Sequence, residues 1–497
     1  MAILASVGFC VALTERGGLW VVGQNDMGQL GTGAENMHPV ELAPFTLLGG
    51  VGHVGGDDIE VLVGGVEALA LVGGAEALAL LGAAEAPAPG APHPFANESV
   101  VMVAAGLNHT VCVTDSGVVW AWGINFRGAL GHGDLLDRPA PVRWAAGACG
   151  GAPVAMVACG RRITLALTRD GAVWQSGHMT FADEGSVLPA QVAGLPPAVM
   201  VSAGSSHNIA LDADGHVWTW GASTMGALGT VPAAVEDDGF VEFQFPPRSL
   251  TPADFGGETV VFVAAGVQNS AAVTHQGVLW VWGLFRDGRG TPEPSVIHAA
   301  PTLLQGAGVQ AWDGLPVMTV SLGDKYALAL TADMGVWSWG RDIHGRLGHA
   351  DIMDRWVPTR IPRAAFGGSD VVLACAGGAS LDWDVSMAVS AEGILYTWGP
   401  GTIGHHGVDA EPSTAPFPVA ETLAPGGRVG RSARLPRQFA LALCMGTDAR
   451  LGVDAAHRDV NAEMLREVAE LCAALDGAYA HMHEGQLRLL GVRERIA

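Results

Sequence analysis

A chain of 497 residues, 49% of them apolar, carries ample material for a buried interior, yet its 70 glycines are too many for a helical protein and follow no strict period. That excludes helical bundles and collagen-like rods and favours many tight turns between many short strands. A formal charge of −23, from 49 acidic and 26 basic side chains, opposes nucleic acid and anionic lipid at long range and favours a partner with a basic surface.

The seven cysteines (Cys10, Cys112, Cys149, Cys159, Cys375, Cys444 and Cys472) form no CxxC pair and no metal-ligand spacing. They read as reduced, small buried hydrophobes in an intracellular protein, cytoplasmic with the nucleus as the alternative. The opening MAILASVGFCVAL lacks a basic n-region and a small-residue cleavage site, so it reads as strand rather than signal peptide. No stretch offers the ~18 uninterrupted apolar residues that a membrane span requires.

From there the chain repeats itself. A glycine is followed three residues later by an aromatic residue at Gly17/Trp20, Gly117/Trp120, Gly171/Trp174, Gly215/Trp218, Gly277/Trp280 and Gly393/Tyr396, and two residues later at Gly335/Trp337. The first copy runs to about Phe45 and contains the turn GQNDMGQLGTG; nothing before Ser6 matches the VVMVAAG run that opens the second, so it is expected to lack its first strand. Residues 47–97 interrupt the series with the tandem nonamers VGGDDIEVL, VGGVEALAL and VGGAEALAL and a tail APAPGAPHP. A Gly-Gly pair every nine residues costs a helix about 2 kcal/mol per pair relative to alanine, so a flexible insertion is expected.

The second copy, Val100 to Pro141, is the most complete. The third has Ser176 where the second tryptophan stands elsewhere and lacks the GALG turn. The fourth is nearly complete, the fifth has RDGRG in place of the turn, the sixth is again close to complete, and the seventh carries about five extra residues around Asp382 and Asp384. Residues 434–443, RLPRQFALAL, resemble the front half of a copy with no tryptophan strand behind it. One small sheet cannot bury both its faces, whereas seven packed around an axis bury one another. The expected fold is therefore all-β, a seven-bladed β-propeller over residues 1–445, closed by pairing of the N- and C-terminal segments so that no sheet edge is left open. A tail, 446–497, should carry a short C-terminal helix over 461–475, where Met464, Leu465, Val468, Leu471, Cys472 and Leu475 share one face. Pairs such as Trp120/Trp122 and Trp280/Trp282 sit two apart in a strand, point the same way, and are expected to form a packing layer between blades.

The segments AAGLNHTVCVTDSGVVWAWGINFRGALGHG (104–133), ACGRRITLALTRDGAVW (158–174), SAGSSHNIALDADGHVWTWG (202–221), WVVGQNDMGQLGTG (20–33) and WSWGRDIHGRLGHA (337–350) together resemble the regulator of chromosome condensation (RCC1-like) repeat family. The resemblance implies a seven-bladed propeller and a range of roles: an exchange factor for a small nuclear GTPase that docks on nucleosomes, propellers attached to ubiquitin ligases, and many scaffolds and regulators. Neither a basic N-terminal tail nor a ligase domain is expected beside it here.

Of the histidines, His109 and His207 occupy a repeat position that also holds Phe9 and Ile163, which reads as structural. His405-His406 has no third ligand at a diagnostic spacing. The glycine-rich turns recur once per copy and contain no GxxxxGK[ST], so turn geometry rather than phosphate binding explains them. The sequence thus offers no catalytic, cofactor-binding or metal-ligating constellation, and a monomeric scaffold without cofactor is expected. The candidate protein-binding residues lie in loops between strands: Asp134 with the neighbouring acid beside Arg138 (Asp137), Glu236, Asp237, Asp238, Trp356, Asp382 and Asp384. Two functions are open, a protein-binding scaffold or regulator and a guanine-nucleotide exchange factor for a small GTPase.

Overall fold

The computed structural model describes residues 2–5, 9–13, 19–25, 27–33, 36–44, 98–178, 186–222, 224–230, 243–285, 296–304, 311–377, 385–392, 394–399 and 413–418. The 47–97 insertion, 434–443, the 446–497 tail with its expected helix, and His405-His406 lie outside them. Seven four-stranded antiparallel sheets follow one another along the chain, each a simple meander of consecutive strands. We call them blades I to VII, over residues 2–44, 100–143, 154–191, 198–250, 260–303, 317–360 and 371–418. Blade II shows the pattern: innermost Val100–Ala105, second His109–Thr114, third Val119–Gly123 and outer Arg138–Arg143. The second strands of blades II to VII are buried along their whole length. This is why HTVCVT, ITLALT and YALALT read as continuous apolar-plus-hydroxyl runs rather than alternating ones.

Blade I overturns one expectation. Its innermost strand is Ala2–Ala5, paired with Phe9–Leu13 in the register Ala5↔Cys10, matching Ala105↔Thr110 in blade II. The same strand packs against the innermost strands of both blade II and blade VII, so the ring closes on the chain's first residues. The strand escapes the sequence pattern because Ser6 stands where the other copies have Gly106, Gly160, Gly204, Gly266, Gly323 and Gly377. Those glycines allow close approach: a Cβ on Gly204 would lie 2.4 Å from the carbonyl oxygen of Gly266, and one on Gly160 would lie 2.3 Å from that of Gly204.

The tryptophan layer lies between blades as expected. Trp122, Trp220, Trp282, Trp339 and Trp398 are fully buried. In three junctions the indole N–H donates to the carbonyl of the residue between the two glycines' turn in the preceding blade: Trp122 to Gln29 (3.0 Å), Trp282 to Ala227 (2.9 Å) and Trp398 to Arg346 (2.9 Å). A second-strand hydroxyl donates to the same carbonyl: Thr110 to Gln29, Ser270 to Ala227 and Ser386 to Arg346. In blade III, Ser176 takes the place of the indole and donates to Ala129 at 3.2 Å, beside Thr164 at 2.8 Å.

Blade III itself lacks the glycine turn, and the Gln175 side chain replaces it: its Oε1 accepts the Trp220 indole N–H at 3.0 Å. Gln175→Leu is therefore expected to lower stability by about 1 kcal/mol, because it removes this buried hydrogen bond and leaves the Trp220 N–H only the Asn208 amide oxygen at 3.1 Å. A shift in the urea midpoint with an unchanged slope would check this.

In the turns of blades I and II, an Asn accepts the backbone N–H of the turn leucine: Asn25 Oδ1 from Leu30 and Asn125 Oδ1 from Leu130, both at 2.9 Å. Blade VI has Asp342 there, with its Oδ1 3.4 Å from the Leu347 nitrogen and its Oδ2 unpartnered among the described residues. Burial raises its carboxyl to about 6. The folded state therefore favours the proton, so the carboxylate weakens the fold above pH 6 and the penalty fades as pH falls towards the ordinary value. Asp342→Asn should raise Tm at pH 7.5, by on the order of 1 kcal/mol of stability, and the gain should vanish near pH 4. Melting curves at the two pH values decide it.

Candidate protein-binding face

An antiparallel meander sends its turns to two ends. One end of the ring carries the innermost-to-second turns and the third-to-outer loops; we call it the loop face. The other carries the second-to-third turns and the linkers between blades. Among the described residues, every large apolar side chain that is strongly exposed belongs to the loop face. Met27, Phe126 and Met225 sit in the glycine turns, and Leu188 and Phe245 near the starts of outer strands. The remaining four form two pairs, Leu135/Leu136 and Ile352/Met353, exposed by 63–68%.

The two pairs are built alike. Each occupies the middle of an Asp-x-x-Asp-Arg loop, 134–138 in blade II and 351–355 in blade VI. The first Asp forms an ion pair with the Arg, Asp134–Arg138 at 2.7 Å and Asp351–Arg355 at 2.8 Å, and accepts the backbone N–H of the second apolar residue at 3.0 Å in both. The Arg returns a bond to the carbonyl of that residue, Leu136 at 2.8 Å and Met353 at 2.9 Å. The second Asp position ties the loop to its turn: Asp137 accepts from the Asn125 nitrogen at 2.6 Å, and Asp354 from the Asp342 nitrogen at 2.7 Å. The backbone N–H of Leu136 and the Arg138 guanidinium hold the Asp134 carboxyl below its ordinary range, and the Arg355 guanidinium does the same for Asp351. Each loop is thus braced from within while it holds two apolar side chains out in water.

Of the sequence-derived candidates, Asp134 and Asp137 serve as braces in the first loop. Trp356 lies half-buried in the outer strand Arg355–Arg360 of blade VI, next to the second. Glu236, Asp237, Asp238, Asp382 and Asp384 lie outside the described residues. The apolar tips themselves escaped the sequence reading; the signal that finds them is the recurrence of Gly-His-[Gly/Ala]-Asp-x-x-Asp-Arg at 131–138 and 348–355.

His109 and His207 open the second strands of blades II and IV and are buried. Each reaches into the next blade: His109 Nε2 lies 3.2 Å from Thr164 Oγ1, and His207 Nε2 lies 2.9 Å from Ser270 Oγ. Because both hydroxyls already donate to carbonyls, each Nε2–H is the donor, and burial lowers both rings to about 4. They are neutral struts. The thiols of Cys112, Cys149, Cys159 and Cys375 are free, and burial pushes Cys149 and Cys159 up to about 12. That leaves them poor nucleophiles. Asp212, Asp214 and His216 cluster in a turn on the opposite face, but both oxygens of Asp212 already accept bonds, from the Asp214 and His216 nitrogens, the His216 ring and the Trp218 indole.

A ring of seven four-stranded meander sheets with braced apolar loops on one end defines a β-propeller. A family model described as RCC1-like domain matches residues 68–441, and the chain belongs to that family. The chain is similar to the Arabidopsis thaliana ultraviolet-B receptor UVR8, at 28% identity over 62% of this chain and 67% of the receptor. It is similar to the Homo sapiens ubiquitin ligase HERC2 at 31% identity over 60% of this chain, but it spans only 6% of that protein. It spans 59% of the mitochondrial Arabidopsis thaliana protein RUG3, at 27% identity. Among solved structures, Prp20p of Saccharomyces cerevisiae matches with a TM-score of 0.58 at 20% identity, covering 84% of this chain and 86% of that one. Human WBSCR16 matches at 0.56 and 21%, covering 78% and 87%. No helix among the described residues is long and apolar enough to cross a membrane.

Proposed function

We propose that this chain is a non-enzymatic protein-binding scaffold or regulator, cytoplasmic or nuclear, that engages its partner through the loop face. The observation that carries this reading is the one-sided distribution of exposed apolar side chains, with two pairs on braced loops in blades II and VI. Exposed apolar groups held rigidly lose little conformational freedom when a partner covers them, which favours binding. The test is affinity capture with the full chain and with a variant carrying Leu135→Asp, Leu136→Asp, Ile352→Asp and Met353→Asp. The variant should fold normally and lose its partner, with affinity down roughly a hundredfold or more. Equal recovery by both proteins would sink the assignment of this face.

The second reading is nucleotide exchange on a small GTPase. It draws on the likeness to Prp20p, whose structure was described together with its binding to Gsp1p and histones. An exchange factor stabilises the nucleotide-free GTPase and needs no cofactor of its own. Acceleration of labelled guanine-nucleotide release by catalytic amounts of this chain would support it; flat release curves across a panel of small GTPases would remove it for those tested.

A further inference from the structure

The two braced loops differ in the side chain that lies beneath them. Their residues correspond one for one: Asn125 to Asp342, Leu130 to Leu347, Asp134 to Asp351, Asp137 to Asp354 and Arg138 to Arg355. In blade II the Asn125 amide nitrogen donates to the main-chain carbonyl of Asp134 at 2.9 Å and to its Oδ1 at 3.2 Å. Blade VI puts a carboxylate in that place. Asp342 is held as Asn125 is, with its backbone N–H on the second Asp of the loop and its Oδ1 towards the turn leucine. Its Oδ2 therefore takes the position of the amide nitrogen, opposite the carbonyl and carboxylate of Asp351. A carboxylate has no hydrogen to give to either.

Asp342 is only 6% exposed, and its Oδ2 has no hydrogen-bond partner among the described residues. Burial raises its pKa and the charge of Asp351 raises it further, while the charges of Arg355 and Arg346 oppose the rise. Neither arginine donates to Oδ2, and Arg355 is committed to both oxygens of the Asp351 side chain, at 2.8 and 2.9 Å. An oxygen-lined gap thus stands where the sister loop has a donor.

We propose that Asp342 and Asp351 form a site for a hard divalent cation, calcium in preference to magnesium, bound by Asp342 Oδ2 and the main-chain carbonyl of Asp351. The Asp351 side chain is 38% exposed, so the site opens at the loop rim and water can complete the shell. A carboxylate and a carbonyl in an irregular loop suit calcium, which takes roughly six to eight oxygens in flexible geometry, whereas magnesium demands a near-ideal octahedron. The chain's charge of −23 concentrates cations around it. Because Ile352 and Met353 ride on the same loop, the ion would add a brace beneath that apolar pair. The inference does not depend on the scaffold reading.

The experiment melts the full chain at about pH 7.5 in EDTA, in about 5 mM CaCl2 and in about 5 mM MgCl2. Calcium should raise Tm by about 2 °C or more, and magnesium by less. Asp342→Asn should lose that response, so that the gain expected of it above appears in EDTA and shrinks or reverses in calcium. Asp115→Asn, at an exposed turn of the opposite face, should keep the response. Titration calorimetry should show calcium binding weakened roughly tenfold or more by Asp342→Asn and unchanged by Asp115→Asn. Circular dichroism establishes that each variant is folded. Equal melting in all three buffers, the result if a proton alone sits between the facing oxygens, would overturn the proposal. So would a calcium response that survives Asp342→Asn. A response to magnesium as large as that to calcium would overturn the choice of calcium.

Discussion

Replacing Trp282 with alanine is expected to destabilise the protein by about 4 kcal/mol, the loss typical of a buried Trp truncated in a packed core. Its side chain is fully buried against Phe255, at 6.0 Å between ring centroids, and shares a core with Met200, Ile209, Leu211, Val260 and Val263 from blades IV and V. Truncation would open a cavity across the junction between two blades, where collapse is resisted by the sheets on either side. Trp282→Phe should cost only about 1–2 kcal/mol, because the carbonyl of Ala227 still receives the Ser270 hydroxyl at 2.7 Å. Trp339→Phe makes the useful comparison. The Trp339 indole has no partner among the described residues, so its loss should cost less than the same change at 282. Equal losses at both positions would show that the hydrogen bond to the glycine turn contributes nothing. Urea denaturation monitored by circular dichroism measures all three.

The second large effect is acid sensitivity. His109, His207 and His349 are each lowered to about 4, chiefly by burial. A histidine lowered in the folded state leaves the unfolded chain to take up the proton first. Its contribution is whole above the ordinary value of 6.5 and is lost as pH falls from there towards 4. For a fully buried ring the loss approaches roughly 3 kcal/mol, and His109 and His207 are both of that kind, while the half-buried His349 counts for less. Asp342 acts the other way over part of the same range, but it is one group against four, since burial also lowers His132. Stability should therefore drop steeply between pH 6.5 and 4.5. His207→Asn, which places there the residue that blade V carries as Asn269, should flatten that slope by about one proton. An unchanged slope would mean that His207 does not stay neutral in the folded protein.

The propeller itself was open to sequence reasoning because its layer of tryptophans obeys a period of two and its turns demand glycine, both local properties. The first blade's opening strand was not, since a single Ser6 removed the glycine by which its equivalents announce themselves. Gln175 was hidden for another reason. Nothing local says that this side chain spans a junction and supplies an acceptor that its own blade's missing turn would have provided. His109 and His207 were legible as structural from the Phe9 and Ile163 at their repeat position, but their partners, Thr164 and Ser270, lie more than fifty residues away. On the loop face the residue types point to acids as the contact groups. In the structure Asp134, Asp137, Asp351 and Asp354 brace the loops, and the strongly exposed side chains are the apolar residues between them. Exposure of an apolar side chain is a property of the folded surface, which explains why only the repeated spacing could have flagged these loops.

The closure of blade I has a mechanical consequence. Along the described residues the backbone threads from blade to blade at six junctions, while blades VII and I meet side by side. Each described sheet is completed from one continuous stretch, so parting that seventh junction would leave the described sheets whole and break the contacts of Ala2–Ala5 with Val371–Ala376 and Ser386–Ser390. The ring thus has a built-in latch, and deuterium uptake under native conditions should reach Ala2–Ala5 and Val371–Ala376 first and together.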